Sequence, residues 1–154
     1  AGVDTTKDEC VYPDLNHKID TLQALVLINK LKSLKKILKK RISNASYYNK
    51  YLNSKIIKPK FYKNFQHVYY TYQVRCTKRD QLQEFLQKKG IETKIQHKKL
   101  LYDHVGFKNS KTELFVNAKK VISQSLCVPI HEKLNKNDLS YIVKNINIFA
   151  KKYL

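Results

Sequence analysis

Methionine is absent from all 154 residues, and the first residue is Ala1, so this is not a translation start unless an initiator was removed; the chain is expected to be part of a longer product. Cysteine occurs only at Cys10, Cys76 and Cys127, an odd number with no C-x-x-C and no Cys/His metal spacing. That pattern excludes a disulfide framework or a zinc knuckle and fits reduced thiols in the cytoplasm, with no metal site expected. Cys76 and Cys127 sit in strand-like segments and read as small buried hydrophobes, not nucleophiles. No apolar run approaches the roughly 20 residues that a membrane-crossing helix needs, and no signal-peptide pattern or internal repeat is visible, so no membrane partner is expected. Acidic residues are scarce, 12 against 31 basic, giving a formal charge of +19. Such a balance invites a nucleic-acid reading. However, only Arg41, Arg75 and Arg79 carry the fork that pairs bidentately with phosphate or guanine, and the lysines stand among many Asn and Ile as on a solvated surface. Nucleic acid is therefore not the expected partner.

What the chain does contain is a folded domain's worth of apolar residues, 42% of the total with 11% aromatic, in a length close to that of one domain of about 100 to 150 residues. Residues 1–14 read as an irregular lead. A long helix is predicted from about Asp20 to about Asn53, with a break near Ser43; in it Leu27, Leu31, Leu34 and Leu38 form an apolar stripe expected to pack, opposite a lysine face. Pro59 marks a linker. His67 to Arg75, HVYYTYQVR, alternates bulky and β-branched residues as a strand does, and its tyrosines are expected to pack on the sheet. Arg79 to Gly90 is a helix with Leu82, Phe85 and Leu86 inward and Gly90 as the C′ residue. Ile91 to Gln96 is a second short strand, His97 to Ser110 a loop, Thr112 to Leu126 a helix with Thr112 as N-cap, and Ser125 to His131 extended, with His131 expected to cap or orient a turn. The last helix is capped by Asn135 or Asn137 and turns Leu139, Ile142, Val143, Ile146 and Phe149 inward. The fold class is α/β, in the form of an α+β small domain: a lead and long linking helix over 1–54, then a small sheet flanked by helices over 55–154.

Four segments in this order resemble the C-terminal part of the DegT/DnrJ/EryC1/StrS family of sugar aminotransferases, fold-type I enzymes dependent on pyridoxal phosphate. Leu15 to Leu34 is similar to the family's Asn-x-Arg pair followed by a Leu-Gln-Ala helix, and HVYYTYQVR to its His-x-Tyr-x-x-Tyr strand. Arg79 to His97 is similar to the helix, glycine and strand that lead to a histidine loop, and Leu126 to Ile146 to the Leu-Pro-Ile-His turn and closing helix.

The resemblance implies amino transfer, usually from glutamate, to a keto sugar linked to a nucleotide, in a homodimeric cytoplasmic enzyme. It assigns Asn16 and Lys18 to the cofactor phosphate of the partner subunit, where Lys in place of Arg keeps the charge and loses the fork. His97 and His104 are the implied substrate contacts, although Gln96 stands where relatives carry the first histidine and the loop's prolines are absent. The Schiff-base lysine lies upstream of the matched segment in the family, so no residue of this chain is expected to be catalytic. Two other readings stand beside this one: a noncatalytic basic domain that binds or scaffolds, and a degenerate aminotransferase remnant.

Overall fold

The computed structural model describes residues 19–107 and 115–154, and the backbone of two short strands, Val3–Asp4 (β1) and Glu9–Cys10 (β2), paired antiparallel. The expected irregular lead thus contains a two-residue ladder. Asn16, His17 and Lys18 lie outside the described residues, as does Thr112.

Two helices replace the single predicted one. Thr21–Leu31 (α1) starts at Asp20, whose Oδ1 accepts the Leu22 N–H at 2.7 Å, and Leu34–Tyr51 (α2) follows after two residues. The interruption falls at Lys32 and Ser33, where N–H groups reach back three residues to Asn29 and Lys30, and the Ser33 hydroxyl donates to the Lys30 carbonyl. A serine that binds the backbone in this way competes with the helical ladder. Ser43, the expected break, stays helical because Asn44, Ala45 and Tyr48 beside it are buried in the core and hold α2 straight through.

The central ladder joins Tyr72–Arg75 (β3) antiparallel to Ser125–Val128 (β4), with Tyr72 opposite Val128 and Val74 opposite Leu126 on one face, and Gln73 opposite Cys127 on the other. HVYYTYQVR forms strand only in its second half: Tyr69 takes a left-handed φ of 49°, which ends the extended run. Tyr69 and Tyr72 are buried as expected, while Tyr70 is exposed. Ile91 to Gln96 contributes one bridge, Lys94 to Cys127, not a strand, and Ile57 makes a similar bridge to Arg75 on the opposite edge.

Arg79–Lys88 (α3) and Lys136–Tyr153 (α5) pack together, and α5 also meets α2. Leu82, Leu86, Ile146 and Phe149 fill the space against Tyr72, Val74 and Leu126, and all of them are buried. Asn135 is the residue that caps α5: its Oδ1 accepts the Asp138 N–H and the Asp138 carboxylate accepts the Asn135 N–H, both at 2.9 Å, a reciprocal box. Gly90 closes α3 with φ +70°, while Ile91 N–H reaches the Leu86 carbonyl and Gly90 N–H that of Gln87, the paired bonds of a Schellman motif. Val116–Gln124 (α4) leads directly into β4 and is shorter than predicted.

Several of the remaining helix ends are tied down by side chains from elsewhere in the chain. Arg79 donates to the carbonyls of Ile122 and Ser125 at the end of α4, Tyr141 to that of Lys89, and Lys58 and Asn147 to carbonyls at the end of α2. Unsatisfied terminal carbonyls are the weak points of a helix, so these bonds pin the ends of α2, α3 and α4.

The predicted leucine stripe does not pack within the described residues. Leu27, Leu31 and Leu34 are exposed, and only Leu38 is half-buried.

Candidate functional site

Strand pleat places alternate side chains on opposite faces, so with Tyr72 and Val74 committed to the core, Gln73 must point the other way. There it lines a cavity of about 300 Å³ together with Gln96, His97 and Lys99. Leu100, Leu101, Val121 and Ile122 supply its apolar wall. Two primary amides, each offering both donor and acceptor, beside an imidazole and over aliphatic carbon suit a small polyhydroxylated ligand, since such sites are mainly apolar with a few placed polar groups.

His97, an expected substrate contact, lines this cavity. His104 is not part of that lining; it sits between two 3-10 turns, Leu101–Asp103 and Val105–Phe107, where its backbone links them. Gln73 and Gln96 are not among the contacts expected from the sequence; the strand alternation of HVYYTYQVR, with Tyr72 packed on the sheet, is the signal that points to Gln73. Gln96 also borders a second, larger groove of about 710 Å³ between residues 90–96, the end of β4 and the start of α5, with Thr71, Lys94, His131 and Asp138 around it.

The lead into β3 is clamped from α2. Arg41 Nη1 donates to the carbonyls of Tyr69 and Tyr70, both at 3.2 Å, and Nη2 lies 3.4 Å from Glu132. Tyr69 N–H donates to His67 Nδ1 at 2.9 Å and the two rings stack. A non-glycine residue at positive φ persists only where its surroundings hold it, and these contacts do so two residues ahead of Thr71 and four ahead of Gln73. The Glu132 carboxyl is held below the usual carboxylate range by its own backbone N–H first and by the Arg41 guanidinium. His131 serves its turn through the backbone, its carbonyl accepting from Asn44 Nδ2 at 3.0 Å, while Tyr48 donates to the Pro129 carbonyl at 2.7 Å.

Burial pushes the Cys76 and Cys127 thiols upward, away from the thiolate that a nucleophile requires. Among the described residues no group of three or more His, Cys, Asp and Glu could hold a metal ion, and no helix is long and apolar enough to cross a membrane.

The sequence model of the DegT/DnrJ/EryC1/StrS aminotransferase family matches residues 2–147, and the chain belongs to that family. A pleiotropic regulatory protein of Geobacillus stearothermophilus is 26% identical over 147 residues, covering 90% of this chain and 39% of the relative. The dTDP-3-amino-3,6-dideoxy-alpha-D-galactopyranose transaminase of Aneurinibacillus thermoaerophilus is 24% identical over 145 residues, 94% of this chain and 40% of the relative. The crystal structure of a DegT/DnrJ/EryC1/StrS aminotransferase from Brucella abortus superimposes with a TM-score of 0.81 at 27% identity, over 98% of this chain and 41% of that one. The chain therefore spans about two fifths of the length of the relatives it matches, and its helices and small antiparallel sheet are that part of a fold-type I aminotransferase.

Membership implies pyridoxal phosphate as cofactor. A Schiff-base lysine is kept reactive by desolvation or a neighbouring cation. Among the described residues no lysine is buried, so these residues do not by themselves form a holding site for that group.

Proposed function

We propose that this chain is the C-terminal portion of a pyridoxal phosphate-dependent aminotransferase that transfers an amino group, from glutamate, to a keto sugar linked to a nucleotide, in the biosynthesis of amino sugars. Residues 1–54 form the lead and linking helices and 55–154 the small domain, with the last turns of α2 built into its core. The enzyme acts as a cytoplasmic homodimer, in which Asn16 and Lys18 reach the cofactor phosphate of the partner subunit. His97, from the wall of the 300 Å³ cavity, and His104, from the adjoining turn, contact the substrate.

The observation that carries this reading is the cavity formed by Gln73, Gln96 and His97 over aliphatic side chains, which matches the mixed hydroxyl and C–H surface of a hexose ring. Its place in a chain whose family model covers residues 2–147, and whose relatives include a transaminase of a dTDP-linked sugar, supports it.

The test is to isolate the native product with an antibody raised against this chain, record its mass and cofactor absorbance, and assay amino transfer from glutamate to a dTDP-linked keto sugar. A product well above 18.2 kDa with activity supports the proposal. A product of this size that binds heparin with an affinity falling steeply as salt rises supports a basic binding domain instead. A folded product of this size that binds neither is a remnant.

A further inference from the structure

The turn into β3 is held by three hydrogen bonds, and one of them depends on pH. Arg41 supplies two, to the Tyr69 and Tyr70 carbonyls, and a guanidinium keeps its proton throughout the range in which proteins work. Its partner Glu132 is held below the usual carboxylate range by its own backbone N–H and by Arg41, so it stays ionised near neutrality. The third bond differs in kind. The Tyr69 N–H donates to His67 Nδ1 at 2.9 Å, which requires a bare lone pair on that nitrogen and so a neutral ring with its hydrogen on Nε2. A proton on Nδ1 sets donor against donor.

The ring is exposed and lines a cavity of about 560 Å³ with Asn49 and Lys50 of α2 and with Phe61, Gln66 and Tyr69 of its own segment. Lys50 and the Tyr69 phenol are the titratable groups beside it in that lining, and no carboxylate is among them, so an imidazolium there meets a like charge and no counter-charge. What the bond holds is not relaxed backbone: Tyr69 is 6% exposed and sits at φ 49°, which costs a residue with a side chain energy. Tyr70 and Thr71, directly after it, line the 710 Å³ groove, and Gln73 lines the 300 Å³ cavity, so the turn aims the residues of both.

We propose that His67 is a positioning residue: unprotonated, it locks the Tyr69 turn and thereby sets where Thr71 and Gln73 stand, and its protonation releases the turn and weakens binding of the sugar in the cavity. The lock stands on the hydrogen bond and the stacked rings, 4.2 Å between centroids; the effect on the sugar rests on the aminotransferase reading. Imidazoles protonate around pH 6.5, so the release falls between about pH 7 and about pH 5.

Hydrogen exchange of the Tyr69 amide in the native product, corrected for intrinsic exchange and followed from pH 8 to pH 5, tests the lock, and KM for a dTDP-linked keto sugar over the same range tests its effect. Protection should fall on the order of 10-fold as pH drops, the worth of one hydrogen bond, and KM should rise by a similar factor. His67→Asn should keep protection and KM level across the range, because an Asn Oδ1 accepts the N–H two residues on, as in an Asx turn, and does not titrate. His67→Phe, which keeps a ring to stack and has no acceptor, should show the low-pH protection at every pH. Constant protection in the native product overturns the lock without recourse to any variant, and an equal fall in His67→Asn assigns it to another group and overturns the role of His67. A fall in protection with a level KM overturns the positioning role. The expected protection profiles in a product without amino transfer uphold the lock while the aminotransferase reading fails.

Discussion

α1 and α5 are both rich in aliphatic residues, yet they meet opposite fates. Of the 18 residues of α5, seven are buried, including Leu139, Ile142, Val143, Ile146 and Phe149; of the 11 of α1, none is. The difference lies in what faces them. α5 carries one apolar stripe and a polar back, and β3, β4, α2 and α3 supply a surface for the stripe. α1 carries apolar residues on two sides, and the described chain supplies a surface for neither. An apolar pattern therefore states that a helix will be covered, while only the rest of the fold states by what.

The comparison predicts unequal costs for like truncations. Phe149→Ala, which removes a buried ring packed on Phe85 at 5.6 Å and on Tyr153 at 4.9 Å, should destabilise the chain by about 3–5 kcal/mol in urea denaturation. A loss under about 1 kcal/mol would mean that α5 does not hold the core together. The clamp from α2 comes next. Arg41→Ala removes donors from the Tyr69 and Tyr70 carbonyls and should cost about 1–3 kcal/mol. Arg41→Lys should recover only part of this, because an ammonium lacks the planar fork that reaches the carbonyls and Glu132 together.

The buried half of the molecule was largely legible. The five inward positions of α5, a cap at Asn135 or Asn137 that the structure resolves to Asn135, and the terminal Gly90 follow from local rules of spacing and hydrogen bonding that act within one element. What was not legible depended on partners distant in sequence. The break at Ser33 and not Ser43 was settled by burial of Asn44, Ala45 and Tyr48 against elements that begin more than twenty residues later. Ile91 to Gln96 had a strand's composition but pairs with the sheet only at Lys94. Around the cavity, His97 was expected from the resemblance, whereas Gln73 required knowing which strand face the core would take. Asn16 and Lys18 fall outside the described residues and rest on the resemblance alone.

Alkaline pH should loosen the α2 side of the core selectively. Burial pushes the Tyr48 and Tyr72 phenols well above their usual range, Tyr48 further with Tyr72 beside it. The unfolded phenols ionise near pH 10 while the folded ones hold their protons, so the stabilisation is complete below about pH 10 and declines as pH rises. The urea midpoint should fall between about pH 9.5 and about pH 11, and Tyr48→Phe should flatten part of that fall while losing the bond to Pro129. A midpoint insensitive to pH over this range would place the two phenols in water. Gly90→Ala follows at about 1 kcal/mol, from the positive φ alone, because an added Cβ would meet nothing within 4 Å.

The smallest effect is the sharpest for the comparison. Leu25→Ala in the isolated chain should change stability by no more than about 0.5 kcal/mol, since a side chain that is 58% exposed gives up little by being shortened. The same substitution in a native product that covers α1 should approach the 2–5 kcal/mol typical of a buried leucine, on the order of that for Phe149→Ala. Measured in both, one residue then reports whether α1 differs from α5 by sequence or only by company. Equal and small losses in both proteins would mean that the apolar sides of α1 face water in the enzyme as well, and the contrast between the two helices would be intrinsic to them.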